Sequence, residues 1–364
     1  MQPNSVISFA TGLLLISAPA AAGQYAYTSI EVRCEVGATA CPAGLAPGGT
    51  AAQTSVRGIN AGGDMVGFYT DAAAKQHGFL LKDGVYTTID FPLGGVRGTI
   101  ANGINPQGEI VGQFVLPVNA AVPEDSPLFC PANLASGAAS PACTKAFHYR
   151  RGDYTSFTFT GHPGAIAQRI TANGEIFGCL HDRDLGMSMF GAAWQRSLGP
   201  RGSVQITDAF SLLADGGEQS APMDVPMSMN NGGSLNAQSV AGFFTDMSGQ
   251  QRGYLVRDGV LEPYDAAPDA AVTAIWDMNP AGHFVGTFRS VTEAAARRHG
   301  YIDRGDGSAP VTFDVTLPGT SGNTVTAFAT IAFGVNPDGV IVGQYTLVTG
   351  GTVRGFVARP LISN

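Results

Sequence analysis

A run of four polar residues places an imidazole beside two carboxylates and a guanidinium: His181-Asp182-Arg183-Asp184. A histidine next to a carboxylate can act as a general acid–base pair, and the same side chains are common metal ligands. We therefore take His181, Asp182 and Asp184 as candidate catalytic residues. Arg183 is a candidate ligand-binding residue. The alternative is a solvated polar loop without chemistry, the usual role of such a cluster.

Three more basic side chains are candidates for binding a ligand: His162, Arg289 and Arg298. A guanidinium binds a carboxylate or a sugar acid through paired hydrogen bonds. All three residues fall in segments that the repeat pattern described below assigns to one face of the molecule. An exposed arginine on a loop also serves solubility alone, so both interpretations stay open.

The chain contains five cysteines: Cys34, Cys41, Cys130, Cys143 and Cys179. Separations of seven and thirteen residues predict two local disulfides, Cys34–Cys41 and Cys130–Cys143, formed in an oxidising compartment. Neither pair has the Cys-x-x-Cys spacing of a zinc or thioredoxin site. Cys179 is left over, and we expect it to be a small buried thiol.

Established catalytic and cofactor motifs are absent from the sequence. There is no HExxH, GxSxG, Walker or dinucleotide-binding pattern, so we expect no cofactor and no metal site. Two Arg-Gly-Asp tripeptides, at 151–153 and 304–306, fall where other repeats have Lys-Asp-Gly or Arg-Asp-Gly turns, so turn chemistry explains them. Whether the protein is an enzyme stays open.

Composition favours a turn-rich β protein and argues against nucleic acid as a partner. Of 364 residues, 44% are apolar, only 13% are charged and 49 are glycine. The net charge is −8, and the only lysines are Lys75, Lys82 and Lys145. Binding to a polyanion needs a basic stripe that displaces counterions, and the sequence has none.

The first 23 residues resemble a secretory signal peptide. The apolar run ISFATGLLLISAPAAA is followed by small residues suited to cleavage near Ala20 to Gly23. An uncleaved anchor is the alternative, but about 16 apolar residues are short for a span of ~30 Å. No later segment is apolar enough to cross a membrane. We expect a secreted or periplasmic protein, as a monomer, with its mature chain starting near residue 24.

Four short sequence pieces recur in fixed order along the chain. Within residues 57–92 they are Gly-Ile-Asn, apolar-Val-Gly, Gly-Phe and Tyr-x-x-Ile-Asp, and they occur six, six, six and five times. Each is alternating and rich in β-branched or aromatic residues, which predicts a strand. The repeated asparagines are expected to stabilise the turn after the first strand. His77 and His299 occupy one repeat position, which favours a structural role for both.

Four antiparallel strands in about 45 residues are typical of one blade of a β-propeller. We predict an all-β, six-bladed propeller that forms a single domain over residues 24–364, after the signal peptide at 1–23. The approximate blades are 55–92, 98–160, 165–208, 222–267, 271–317 and 325–358. The last blade lacks a fourth strand, and YTSIE at 27–31 would supply it and close the ring. A chain of two or three β-sandwich domains is the alternative.

The order Gly-Ile-Asn, Ile-Val-Gly, His-Gly-Phe resembles the HAF repeat, the probable extracellular repeat named for His-Ala-Phe. The matching residues are His77-Gly78-Phe79 and His299-Gly300-Tyr301, and the resemblance covers residues 55–358. Blade three departs most, with Thr171 in the asparagine position and Trp194 in the phenylalanine position. The resemblance implies a propeller fold and export, and it implies no shared activity.

The predicted loops differ in length between the two faces. Nearly all insertions lie between strands two and three or between blades: 32–54, 115–144, 179–191, 209–224, 289–298 and 316–326. In repeat proteins the insertions gather on the face that binds. The leading hypothesis is a propeller that binds an extracellular or periplasmic glycan, protein or small molecule on this face. The alternatives are a hydrolase or lyase that acts through His181 and a structural envelope or matrix protein.

Overall fold

The protein is described by a computed structural model, and it is all-β. The structure describes residues 25–361 except 120–121, 124–125, 127, 131–142, 182–188, 212–226, 238, 247, 258–259 and 320–321. Within these residues there is no α-helix, and Pro200–Gly202 forms a 3-10 turn. No helix of the described chain is long and apolar enough to cross a membrane.

The strands form four-stranded antiparallel units that follow the sequence repeats. Unit one contains β2 (Gln53–Ile59), β3 (Met65–Thr70), β4 (Gln76–Lys82) and β5 (Val85–Ile89). Unit two contains β6 (Gly98–Ile104), β7 (Ile110–Val115), β8 (Thr144–Arg150) and β9 (Asp153–Phe157). Unit three contains β10 (Gly164–Ile170), β11 (Glu175–His181), β12 (Met189–Leu198) and β13 (Val204–Ser211).

The second half of the chain repeats this arrangement. Unit four contains β14 (Met227–Ser234), β15 (Ser239–Thr245), β16 (Gln251–Arg257) and β17 (Val260–Tyr264). Unit five contains β18 (Ala270–Met278), β19 (Phe284–Ser290), β20 (His299–Asp303) and β21 (Val311–Phe313). A two-stranded ribbon of β22 (Thr316–Pro318) and β23 (Thr324–Thr326) follows. Unit six contains β24 (Ala329–Val335), β25 (Ile341–Thr346), β26 (Arg354–Pro360) and the N-terminal β1 (Tyr25–Ile30).

The N-terminal strand pairs with the C-terminal strand. β1 runs antiparallel to β26 in a continuous register from Tyr25 opposite Pro360 to Ile30 opposite Gly355. The aromatic rings of β1 pack onto unit six, where the centroid of Tyr27 lies 6.5 Å from that of Phe356. The two ends of the chain therefore share one sheet.

A glycine in the second strand and an aromatic residue in the third explain two of the sequence pieces. Gly112 lies directly opposite Phe147 in the β7–β8 pair, and Gly286 lies opposite Tyr301 in β19–β20. A Cβ on Gly112 would overlap with the Ile100 carbonyl oxygen and approach the Phe147 ring. The glycine therefore makes room for the ring and for the first strand. Unit three departs from this pattern, because Trp194 lies opposite Ile176.

In four of the six units, an asparagine stabilises the turn between the first and second strands. Asn60, Asn105, Asn279 and Asn336 each accept a backbone N–H through Oδ1 at 2.9–3.0 Å across their turns. The predicted turn role is confirmed at these positions. It is wrong for Asn230, which lies inside β14 and accepts a hydrogen bond from the Tyr254 hydroxyl. β14 continues to Ser234, so the turn after this strand comes several residues later than the repeat pattern predicted.

The same asparagines also connect neighbouring units through their Nδ2 groups. Asn60 donates to the carbonyl of Asn105 at 3.2 Å, and Asn105 donates to that of Thr171 at 3.3 Å. Asn279 donates to the Asn336 carbonyl at 3.1 Å. Asn336 then donates to the Asn60 carbonyl at 3.4 Å, which places unit six beside unit one.

Both predicted disulfides are present. The Cα atoms of Cys34 and Cys41 are 5.2 Å apart, and those of Cys130 and Cys143 are 4.5 Å apart. Cys179 is a free thiol and is fully buried, as predicted. The first disulfide lies in the segment between β1 and β2, and the second spans the segment between β7 and β8. Each one therefore crosslinks one of the two longest segments of the predicted binding face.

Candidate functional site

His181 lies at the end of β11, at the rim of the predicted binding face. Its Nε2 is 3.4 Å from the Cys179 Sγ. Burial lowers the pKa of His181 to about 4 and raises the pKa of the Cys179 thiol. Both groups are therefore neutral near pH 7, the reverse of an activated thiolate–imidazolium pair. Asp182, Arg183 and Asp184 lie outside the described residues.

The two loop arginines bind backbone carbonyls close to them in sequence. Arg289 donates through one Nη to the carbonyls of Ser290 and Glu293, both at 3.2 Å. Arg298 donates to the Ala295 carbonyl at 2.6 Å. Burial and then the charge of Arg289 lower the pKa of Arg298, so the two guanidiniums are neighbours. The structure thus brings these two candidates together and gives each a local partner.

His162 lies in the tight turn after β9. Its backbone N–H donates to the Phe159 carbonyl at 2.9 Å, and its ring lies edge-on to the Phe159 ring with centroids 6.2 Å apart. His181 ends β11 of unit three, and His162 lies in the turn just before β10, the first strand of the same unit, so both histidines belong to this part of the fold.

A basic residue at the start of the third strand binds an acidic residue after the fourth. His77 Nδ1 lies 2.7 Å from Asp90, and His299 Nδ1 lies 3.0 Å from Asp314. Two further pairs extend the series: Arg252 pairs with Asp265, and Arg354 Nε is 2.7 Å from Glu31. This recurring ion pair accounts for the periodic positions of His77 and His299. Glu31, directly after β1, takes the same role in unit six.

Each first strand contains one bulged residue at the same place. The pairing of the first and second strands shifts register there in every unit. The six bulged residues are Arg57, Asn102, Gln168, Asn231, Trp276 and Phe333. A bulge turns a side chain away from its normal direction in the sheet. We call these six residues the bulge ring.

Contacts between distant units show that residues of the bulge ring converge. The Arg57 guanidinium lies over the Phe333 ring, 3.9 Å from its centroid. Trp276 packs edge-on against Phe333, with centroids 5.0 Å apart. Units one, five and six therefore meet at this point. The Nε1 of Trp276 and the Oδ1 of Asn231 are buried and have no hydrogen-bond partner among the described residues.

The position after the bulge is glycine in four units and charged in the other two. Gly58, Gly103 and Gly334 stand where neighbouring first strands approach, since a Cβ on Gly103 would lie 2.7 Å from the Gln168 carbonyl oxygen. In units three and five this position holds Arg169 and Asp277, whose Nε and Oδ1 are 2.9 Å apart. Arg169 also donates to the carbonyls of Asn102 and Phe333. This ion pair, with its contacts to units two and six, fills the centre at the level next to the bulge ring.

Sequence reasoning missed the bulge ring and the Arg169–Asp277 pair. One signal was available: in five units the bulged residue directly precedes the piece that corresponds to Gly-Ile-Asn, and this preceding residue differs from unit to unit. Variation inside an otherwise constant repeat marks a position that the scaffold does not constrain. The bulge that turns these residues to the centre was not visible in the strand pattern.

No protein-family model matches this chain, and no curated protein matches it. Similar solved structures include the Trypanosoma rangeli sialidase in complex with sialic acid, at 8% identity and a TM-score of 0.45. The SapL1 lectin in complex with alpha methyl fucoside is 8% identical to this chain and has a TM-score of 0.45. The third structure is the β-propeller domain of the Trilobed protease from Pyrococcus furiosus, which has an open velcro topology. Its identity to this chain is 9%, and its TM-score is 0.40.

The matches cover most of this chain. The sialidase match covers 92% of this chain, and the lectin and protease-domain matches each cover 85% of it. They cover 58%, 96% and 98% of those three structures, so the chain matches little more than half of the sialidase. All three TM-scores lie below 0.5, and the function proposed below is argued from this chain's own residues.

Proposed function

We propose that the protein is a ligand-binding β-propeller of six four-stranded blades, exported from the cytoplasm and closed by its N-terminal strand. Its site is the centre of the loop-rich face, with the bulge ring as the floor. The ligand is a glycan or another small polar molecule. His181 at the rim is proposed to contact the same ligand.

Unit six and unit one are joined by the contacts that join other neighbours, which supports the closed ring. In three units a first-strand threonine accepts the backbone N–H that follows the preceding fourth strand, as in Phe91 to Thr99 at 3.1 Å. The same bond runs from Val32, which follows β1, to Thr54 at 3.0 Å. β1 thus carries the connections of an ordinary fourth strand.

The bulge ring is the observation that carries the proposed binding site. The backbone repeats at this position in all six units, yet the side chains are a guanidinium, three amides and two aromatic rings. A scaffold needs the same residue at equivalent positions, whereas a site for an asymmetric ligand needs different ones. Apolar walls with a few convergent polar groups are typical of small-molecule sites.

Two disulfides support an oxidising compartment, where such bonds form and persist. Insertions on the same face support its role in binding. The segment between β1 and β2, the segment between β7 and β8 and the β22–β23 ribbon all lie there. Crosslinking two of them keeps their shape fixed and lowers the entropy cost of binding.

The site can be tested by screening purified protein against a glycan array and a library of polar metabolites. We expect Trp276→Phe, which removes the indole N–H together with its pyrrole ring, and His181→Ala to weaken binding of the best ligand by roughly tenfold each. His283→Ala, on the turn between β18 and β19, is the matched control and should bind normally. Equal affinity in all four proteins would show that the ligand site lies elsewhere.

A further inference from the structure

We propose that the ligand of this site carries a carboxylate and that Arg57, in the bulge ring, binds this carboxylate. This inference rests on the proposed function, because it names the chemical class of the ligand bound there. The strongest observation is that Arg57 has no counterion. Its Nε has no hydrogen-bond partner, and no carboxylate contacts the side chain in the described part of the chain.

Three other enclosed arginines of this protein have carboxylate partners. Arg196 and Arg150 contact Glu109 at 2.5 and 3.1 Å, and Arg169 contacts Asp277 at 2.9 Å. The positive charge of Arg169 also acts on Arg57 and disfavours the charged form of Arg57. Two guanidiniums and one carboxylate therefore leave one positive charge unmatched at the centre. An unpaired charge away from bulk water is costly, and an anion would offset that cost.

The position of Arg57 leaves its hydrogen-bonding edge available. The guanidinium lies over Phe333 at 3.9 Å, and its distance to the Phe68 centroid is 5.3 Å. Contact through the flat face leaves the N–H groups directed outward in the plane. A carboxylate can accept two of these in parallel, which is the preferred geometry for this pair.

Arg57 is enclosed by the protein, yet it stays partly accessible to solvent. Burial, and then Arg169, lower the pKa of Arg57 to about 9, so the protein disfavours its charged form when no anion is bound. The side chain nevertheless keeps part of its accessible surface. A small solute can therefore reach a group that the protein has removed from bulk water.

Neighbouring groups fit an organic acid better than a bare inorganic ion. The Trp276 indole N–H and the Asn231 Oδ1 add one unused donor and one unused acceptor. An inorganic oxyanion has no hydrogen to donate to Asn231 when fully ionised, whereas a sugar acid has hydroxyl groups of both kinds. The Trp276 and Phe333 rings offer apolar surface for the carbon face of such a molecule.

The experiment measures thermal stability and calorimetric binding with named probes. Wild type, Arg57→Met, Arg57→Lys and the control Arg257→Met are each mixed with D-glucuronate, D-galacturonate and acetate. D-glucose and D-galactose are the neutral counterparts, and inorganic phosphate is the second source of an oxyanion. Arg257 is exposed at the end of β16, so its loss tests the general effect of removing one positive charge.

We expect at least one uronate to raise the melting temperature of wild type by roughly 4 °C at a hundredfold excess over its Kd. Arg57→Met should lose this binding by a hundredfold or more, Arg57→Lys should lose part of it, and Arg257→Met should bind as wild type. The ligand-free Arg57→Met protein should melt no lower than wild type at low salt, because it loses an unmatched charge.

Three results would overturn the inference. Equal binding of a neutral sugar by wild type and Arg57→Met would leave a ligand site without an anion subsite, and the proposed function would stand. Stabilisation by phosphate alone would assign Arg57 to an inorganic ion. A large fall in melting temperature for ligand-free Arg57→Met, with no effect of any anion on wild type, would assign Arg57 to packing.

Discussion

His299 lies between two carboxylates, while His181 is buried beside a thiol, and their pKa values move in opposite directions. His299 Nδ1 is 3.0 Å from Asp314, and its Nε2 is 2.7 Å from Glu293. The hydrogen bond that His299 donates to Asp314 is the largest cause of the raised pKa of His299, and burial acts in the opposite direction. Burial alone lowers the pKa of His181. Charge at His299 therefore stabilises the fold, and charge at His181 destabilises it.

The raised pKa of His299 predicts a pH-dependent contribution to stability. The unfolded chain loses this proton near pH 6.5 and the folded chain loses it at higher pH, so the stabilisation is complete below 6.5 and declines as pH rises through the folded pKa. His299→Gln should lower the free energy of unfolding by about 2 kcal/mol at pH 5.5 and by clearly less at pH 9.

Denaturant unfolding at the two pH values measures this difference. His283→Gln is the control, because its backbone N–H forms the turn bond to Asn279 whatever its side chain. A loss of the same size at pH 5.5 and pH 9 would show that His299 contributes through packing and not through its charge.

At the scale of the strand, a glycine in the second strand lies opposite an aromatic ring in the third in every unit except unit three. Gly112→Ala should lower the free energy of unfolding by about 3 kcal/mol, because the new methyl group overlaps with the Ile100 carbonyl oxygen and approaches the Phe147 ring. Gly94→Ala is the matched control, since nothing lies within 4 Å of the Cβ it adds. Equal stability of the two variants in a urea titration would mean that this strand pair can open without cost.

The strands could be predicted from the sequence because the features that define them recur. The glycine of strand two, the ring of strand three and the acidic residue after strand four each perform one local task, and each leaves a residue type at a fixed spacing. The repeat pattern fits less well in two units: β14 continues past Asn230, and Trp194 of unit three lies opposite Ile176 instead of a glycine.

The candidate site was harder to predict for a physical reason. A bulge changes register in one strand relative to its neighbour, and the pattern of one strand does not record that change. Arg57 and Asp277 each look like an ordinary strand residue in sequence. Only the folded chain brings Asp277 to Arg169 and leaves Arg57 without a carboxylate among the described residues. The loop lengths predict a binding face from the sequence, whereas the residues of the bulge ring are recognised only in the folded chain.

For the whole molecule, the proposed closure requires that β1 act as the fourth strand of unit six. Its register with β26, the Glu31–Arg354 ion pair and the Val32–Thr54 hydrogen bond all reproduce contacts made by fourth strands elsewhere. Without β1, the edge of β26 would be exposed and open to pairing with other chains. The two ends of the chain would then no longer support each other.

Deletion and transfer of β1 separate its structural role from its position in the sequence. Relative to a chain that starts at residue 24, removing residues 24–31 should lower the melting temperature by about 10 °C or more. Joining residues 25–31 after Pro360 through a short Gly-Ser linker, in a chain that starts at Val32, should restore most of this loss. The transfer is feasible because Tyr25 lies opposite Pro360, so the linker forms a simple hairpin. If the transferred strand gives no more stability than the deletion, then β1 stabilises the protein by some means other than completing unit six.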